Sequence, residues 1–315
     1  MIAGILGAVT WALETLILGT AMAMAPFLSS EQAMLLAPFT STFLHDFFSA
    51  VWACIYNGAR GNLNQFFKAL KSRNGRFVVL GAVIGGPLGM TGYVLSINNM
   101  GPSIGAVASA AYPAIGAALA FFLLKEKMQW YRWFLLFITL LGVYGLSYSP
   151  EITITNFWLG FAGTLMCAFG WGTEAVILAK SMQGTEVTDE IALQIRQTTS
   201  AIFYGFILLP LLDGWNLTFC LFSESGLLIP TIAMAALFAT ISYLFYYRAI
   251  AQIGAAKAMA VNITYAAWSI VFSVVFFKDT GVLNLTTIIC TLIVLVCGIL
   301  AATDYKDLLK KESSL

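Results

Sequence analysis

Charge is what this 315-residue chain has least of. Asp, Glu, Lys and Arg together make up 10% of it and there is one histidine, whereas about a quarter of an ordinary soluble chain is charged. So little charge excludes a water-exposed globular enzyme, and the 60% hydrophobic content and mean hydropathy of +0.86 point the same way. The formal net charge of +1, with no Lys/Arg-rich block, excludes nucleic acid as a partner. Five cysteines, Cys54, Cys167, Cys220, Cys290 and Cys297, show no CxxC or metal-ligand spacing. Four of them lie inside apolar stretches, where they read as small buried hydrophobes, so no disulfide, metal or other cofactor is expected. His45 stands next to Asp46, and neighbours on a helix point about 100° apart, which does not make the converging groups of a nucleophilic enzyme.

What the chain does have is long uncharged runs. Residues 77–124, 133–150, 152–173, 225–247, 258–277 and 280–303 contain no Asp, Glu, Lys, Arg or His. Each is long enough to cross a bilayer, which takes about 20 apolar residues, and the first is long enough to cross twice. Punctuation by Pro, Gly, Asn and charge predicts an all-α, multi-pass membrane protein with ten spans, roughly 2–25, 32–57, 76–98, 103–124, 131–148, 157–180, 189–212, 226–247, 258–277 and 285–303. The apolar N-terminus lacks a basic region and a small-residue cleavage site, so it reads as a retained first span. With both termini cytoplasmic, fourteen of the sixteen Lys and Arg residues fall on the cytoplasmic side; only Lys278 is outside and Arg196 lies within a span.

The chain also repeats itself. Trp11-Ala12-Leu13-Glu14 recurs as Trp171-Gly172-Thr173-Glu174, at an offset of 160. At an offset of 153, Tyr93 matches Tyr246, Gly101 matches Gly254, Tyr112 matches Tyr265, Lys125-Glu126 matches Lys278-Asp279, and Gly145 matches Gly298. Two five-span halves, 1–150 and 151–315, the second with a cytoplasmic tail, would lie upside down to one another. Inverted repeats of this kind build alternating-access transporters with a midplane site between the halves.

Glu14, His45, Asp46, Glu174 and Arg196 fall inside predicted spans. An ionisable side chain at the bilayer centre costs about 2.5–3.5 kcal/mol on insertion scales, so each is a candidate functional residue. Arg196 can serve as a structural ion pair with Asp46 or Glu174. The remaining acids still need a partner, and a cationic substrate or a transferred proton would serve. One arginine is too few for phosphorylated cargo. Trp11 and Trp171 lie mid-span at matched positions, and Tyr112, Tyr243, Tyr265 and Trp268 are also well inside spans. Such rings either pack helices or hold a quaternary ammonium by cation–π attraction, at about 0.5–2 kcal/mol per ring. Asn262, Tyr265 and Trp268 step by three and are expected on one face of the ninth span, lining a cavity, with Asn262 bonded to a neighbouring helix or a ligand hydroxyl. Gly85-Gly86-Pro87-Leu88-Gly89 and Tyr112-Pro113 put helix breakers mid-span, as hinges or cavity walls.

These residues resemble the drug/metabolite transporter (EamA) superfamily, in which Lys and an acid close the fourth and ninth spans as Lys125-Glu126 and Lys278-Asp279 do. The segments His45-Asp46-Phe47, Gly86-Pro87-Leu88-Gly89-Met90, Ala111-Tyr112-Pro113-Ala114-Ile115, Cys167-Ala168-Phe169-Gly170-Trp171-Gly172-Thr173-Glu174, Ile195-Arg196-Gln197-Thr198-Thr199-Ser200, Ile241-Ser242-Tyr243 and Asn262-Ile263-Thr264-Tyr265 resemble the LicB-type choline-uptake permeases of bacteria. The resemblance implies proton-coupled choline import across a bacterial inner membrane. Trp11, Trp171, Tyr243, Tyr265 and Trp268 would form an aromatic cage, and Glu174 would face the ammonium or carry the coupling proton. Glu14, His45 and Asp46 are the other proton candidates. An exporter of amino acids, metabolites or cationic drugs, or a cation sensor without flux, would use similar residues and is separated from an importer by flux.

Overall fold

A backbone in lipid must satisfy its own hydrogen bonds, and this chain does so with helices. The computed structural model describes residues 1–148, 154–224 and 226–303, and among them no strand occurs. The expected boundary between halves at 150–151, and Lys306, Lys310 and Lys311, lie outside the described residues.

The principal helices are α1 (Ile2–Met22), α2 (Glu31–Ala59), α3 (Leu63–Lys71), α4 (Arg73–Met100), α5 (Pro102–Leu119), α6 (Trp130–Ser147), α7 (Phe157–Ser181), α8 (Asp189–Leu211), α9 (Trp215–Glu224), α10 (Leu228–Ile253), α11 (Ala255–Asn262), α12 (Tyr265–Phe277) and α13 (Leu285–Ala302). All ten expected spans coincide with helix. The eighth runs six residues past its expected end, and the ninth is broken at Ile263-Thr264 into α11 and α12. By length and apolar content seven segments qualify to cross a membrane: Ile2–Met22, Arg73–Met100, Trp130–Ser147, Phe157–Ser181, Leu228–Ile253, Ala255–Phe276 and Leu285–Ala302. The second span, α2, is long enough but buries Thr40, Ser41, His45, Asp46, Ser49 and Asn57. α8 bends by 110° into α9 after Asp213, which takes the left-handed φ of +57°. Two short helices were not foreseen. α3 carries Phe66 and Phe67 beside Lys68 and Lys71, and α9 exposes Phe219 and Phe222, so both suit a membrane surface.

Small residues set the packing. α1 lies along α10, and a Cβ on Gly7 would stand 3.3 Å from the Tyr246 amide nitrogen; Ser242 Oγ donates to the Gly7 carbonyl at 2.8 Å. α4 lies along α7 in the same manner, with Gly92 and Gly163 against each other's backbone and Ser96 Oγ within 2.8 Å of Thr164 Oγ1. In lipid, dispersion and close backbone approach hold helices together, and glycine permits that approach. α7 also meets α5 at Gly172 and Gly116. One end of the bundle is tied by polar contacts. Glu126 accepts from the Ala255 and Ala256 amides (3.0 and 3.2 Å) at the start of α11. Arg248 Nε pairs with Asp189 Oδ2 at 3.2 Å, and Asn57 donates to Gln194 Oε1 at 3.1 Å.

Gly163→Ala should destabilise the purified protein by about 1–3 kcal/mol in thermal unfolding, because its Cβ would stand 2.6 Å from the Gly92 carbonyl oxygen. Gly19→Ala should leave the unfolding temperature unchanged within error, since no atom lies within 4 Å of the added carbon.

Candidate functional site

The side chains that are costliest in a membrane converge on one cavity of about 360 Å³, reached by α1, α2, α4, α5, α7, α8, α10, α11 and α12. This is the size range of small-molecule sites. Trp11 and Glu14 come from one face of α1, and Trp171 and Glu174 from one face of α7. α4 reaches the cavity through a π-helical turn, Ile84–Leu88, that contains Pro87. There the bare backbone is required, because a Cβ on Gly85 would collide with the Glu174 carboxylate and one on Gly86 would lie 2.6 Å from Ser200 Oγ. The helix breakers are cavity wall, as expected.

Five ionisable groups form a continuous line. Glu14 Oε1 lies 3.4 Å from His45 Nε2, and His45 Nδ1 lies 3.0 Å from Asp46 Oδ1. Asp46 Oδ2 accepts from Arg196 Nη1 at 3.2 Å, and Glu174 Oε1 accepts from Arg196 Nε at 3.0 Å. Arg196 also donates to Gln197 Oε1. Gln197 Nε2 donates to Ser49 Oγ at 2.6 Å, and Ser49 shares a 2.8 Å bond with Thr240. Arg196 thus satisfies both acids that the sequence offered it. All five groups are buried, Asp46 to 2% exposure and Arg196 to 5%. Three carboxyl groups stand against one obligate cation, so if all three are ionised the line carries −2 with His45 neutral and −1 with His45 protonated. Among the described residues no group of three His, Cys, Asp or Glu side chains is arranged to hold a metal.

Two ring pairs face the same space. Trp11 and Tyr265 have centroids 6.0 Å apart, and Trp171 and Tyr112 are 6.1 Å apart. Tyr243 meets Trp11 edge-on at 4.9 Å, while its own face carries the Arg196 guanidinium at 5.2 Å. Asn262 Nδ2 donates to the Tyr112 hydroxyl at 3.0 Å, and Ser109 is the hydrogen-bond partner of the Tyr265 hydroxyl.

Trp11, Glu14, His45, Asp46, Tyr112, Trp171, Glu174, Arg196, Tyr243, Asn262 and Tyr265 therefore meet at one site. Trp268 does not line it in this structure. The break at Ile263-Thr264 interrupts the step of three that would have kept it on the Asn262 face, and its ring stacks instead with Phe272 at 6.3 Å. Tyr93, Tyr246 and Tyr247 also line the cavity and were not anticipated. Tyr93 and Tyr246 were visible only as matched repeat positions.

A model of the EamA-like transporter family matches residues 1–148. Protein LicB of Haemophilus influenzae is 30% identical over 233 residues, 72% of this chain and 75% of that protein. The chain belongs to the EamA-like transporter family. A crystal structure at 16% identity superposes with a TM-score of 0.66 over 96% of both chains, which shows the shared fold. The cavity is thus a cavity in a multi-pass membrane transporter.

Arg196→Met should cost about 3–5 kcal/mol in thermal unfolding, because it leaves Asp46 and Glu174 buried without their cation. Arg196→Lys should recover only part of this, since an ammonium cannot span both acids as the guanidinium fork does.

Proposed function

We propose that the protein imports choline across a bacterial cytoplasmic membrane by alternating access, coupled to protons. The observation that carries the reading is the pair of ring couples, Trp11–Tyr265 and Trp171–Tyr112, opening on one cavity whose buried charge is net negative. A quaternary ammonium takes cation–π attraction from ring faces and has no N–H to donate to a carboxylate or carbonyl acceptor. The cavity's acids favour a cation, and its arginine is already occupied by Asp46 and Glu174. The segments that resemble choline-uptake permeases support the same cargo.

Ten spans in two inverted halves, both termini cytoplasmic, is the architecture we infer. The ring couples exchange under the repeat, Trp11 with Trp171 and Tyr265 with Tyr112. So do the bonded pairs Asn262–Tyr112 and Ser109–Tyr265, at the offset of 153. Gly101 and Gly254 adopt φ of +87° and +86°, and Lys125 and Lys278 φ of +57° and +53°. Contacts that recur so closely in both halves support a pseudo-two-fold axis through the cavity.

For the proton, the contacts favour Glu14 and His45 over Glu174. Glu174 is bonded to an arginine that stays charged, and Asp46 is bonded to it as well. Among the described residues Glu14 lies 3.4 Å from His45 Nε2 and accepts from Thr15, and neither partner is a permanent cation.

Trp171→Leu keeps apolar bulk but removes the ring, so choline binding by calorimetry should weaken at least several-fold in the folded protein; unchanged affinity would assign the ring to helix packing.

An inside-negative potential already gives a permanent cation about 2.3 kcal/mol per 100 mV, or about fifty-fold accumulation. Coupling is therefore tested in proteoliposomes at zero voltage. An inward pH gradient should drive radiolabelled choline uptake, and Glu14→Gln should abolish that uptake while leaving voltage-driven entry. Wild-type uptake indifferent to the gradient would mean voltage-driven facilitated entry instead.

A further inference from the structure

We propose that the side-chain oxygen of Asn262 reads the hydroxyl of the substrate, so that the site selects a hydroxyalkyl quaternary ammonium over its deoxy isostere. This rests on the choline reading above and assigns the part of the ligand that the aromatic rings cannot distinguish.

Asn262 is 4% exposed and lines the cavity. Its amide has two ends. Nδ2 is engaged by the Tyr112 hydroxyl at 3.0 Å, while Oδ1 is buried with no partner. A buried acceptor without a donor is costly, and such atoms are rare in folded proteins. A ligand O–H supplies the missing donor.

The placement fits that task. Asn262 is the last residue of α11, and the break at Ile263-Thr264 follows it in the ninth span. Non-helical backbone at membrane depth is tolerated where it borders a cavity. Through Tyr112 the amide is held beside Trp171, and three residues on, Tyr265 stands against Trp11. Asn262 is thus bonded to a member of one ring couple, precedes a member of the other by three residues, and lines the cavity with both.

The amide orientation also sets which polar group is welcome. An unpartnered Oδ1 accepts from a hydroxyl and repels a carboxylate, as do Glu14, Asp46 and Glu174 around the same space. Glycine betaine, which has a carboxylate and no donor, is disfavoured on both counts. Two other cavity-lining residues carry a buried atom without a hydrogen-bond partner, Tyr247 at its hydroxyl and His45 at Nε2, and His45 Nε2 faces the Glu14 carboxylate at 3.4 Å. The Tyr247 ring is packed edge-on against Tyr243 at 5.8 Å and tilted against Tyr246 at 6.1 Å.

The test compares choline with propyltrimethylammonium, in which a methyl replaces the hydroxyl, by calorimetry on the full-length protein, with glycine betaine as a third ligand. Wild type should prefer choline about tenfold or more. Asn262→Leu should bring that ratio to about one by weakening choline alone, and Asn262→Asp, which keeps an acceptor, should retain the preference. Should the leucine variant fail to fold, Asn262→Ser, which withdraws the acceptor from the cavity, carries the same expectation. The proposal is overturned by a wild-type ratio near one, by a ratio that survives both leucine and serine, by tighter binding of betaine than of choline, or by loss of the ratio in Tyr247→Phe and not at Asn262. Binding of propyltrimethylammonium with no hydroxyl preference would sink this inference and leave the choline-site reading standing, whereas binding of neither cation would sink both.

Discussion

One guanidinium, buried to 5% exposure, sets the terms for the centre of this protein. Arg196 cannot shed its charge, so helix α8 is stable at that depth only if carboxylates meet it. Asp46 comes from α2 and Glu174 from α7, and the fork geometry of the side chain lets one residue fix two helices against a third. Gln197, Ser49 and Thr240 extend the bonding to α10. The remaining acid, Glu14, is left to His45. With its acids ionised the cavity is net negative, because the helix-locking pairs use the one permanent positive charge that lines it among the described residues.

Bringing these groups together requires helices to approach more closely than ordinary side chains allow. Gly7 on α1 and Gly163 on α7 each face the backbone of a neighbour. At the Gly85-Gly86 turn the same device works in the cavity wall, where the absent side chains make room for the Glu174 carboxylate and Ser200. The π-helical turn around Pro87 belongs to the same feature, since proline has no amide to give the helix ladder and the backbone widens there. Packing glycines and site glycines are thus the same chemical choice used at two depths of the bundle.

The proposed two-fold relation explains why aromatic rings and polar groups come in couples. Each half contributes a tryptophan from its first span and a tyrosine from its fourth, and the tryptophan of one half faces the tyrosine of the other. Under the proposed alternating access, a site assembled across such an interface would be remade as the halves rock. Elsewhere the relation lapses: Arg196 has no arginine counterpart in the first half, His45 and Asp46 have no ionisable counterparts in the second, and Asn262 stands where the first half has Ser109.

Uncharged runs, helix breakers and the positive residues between them determined the class, the helix positions and the membership of most of the site, because a bilayer penalises charge and broken backbone so steeply that exceptions stand out in the residue order alone. Trp11, Glu14, Trp171 and Glu174 were legible as a repeated motif for that reason. Which acid takes Arg196 was not legible: the answer was both, and it depends on α2 and α7 each bringing a carboxylate to the same guanidinium. Nor was the break after Asn262, where no proline or glycine signals it; that break turns Trp268 away onto Phe272. Tyr93, Tyr246 and Tyr247 escaped notice because a tyrosine in an apolar run reads as packing until helix rotation shows which way it points. Residue type and spacing fix what a position tolerates, while the orientation of one helix against another depends on contacts between residues far apart in the chain, and only the tertiary structure decides those.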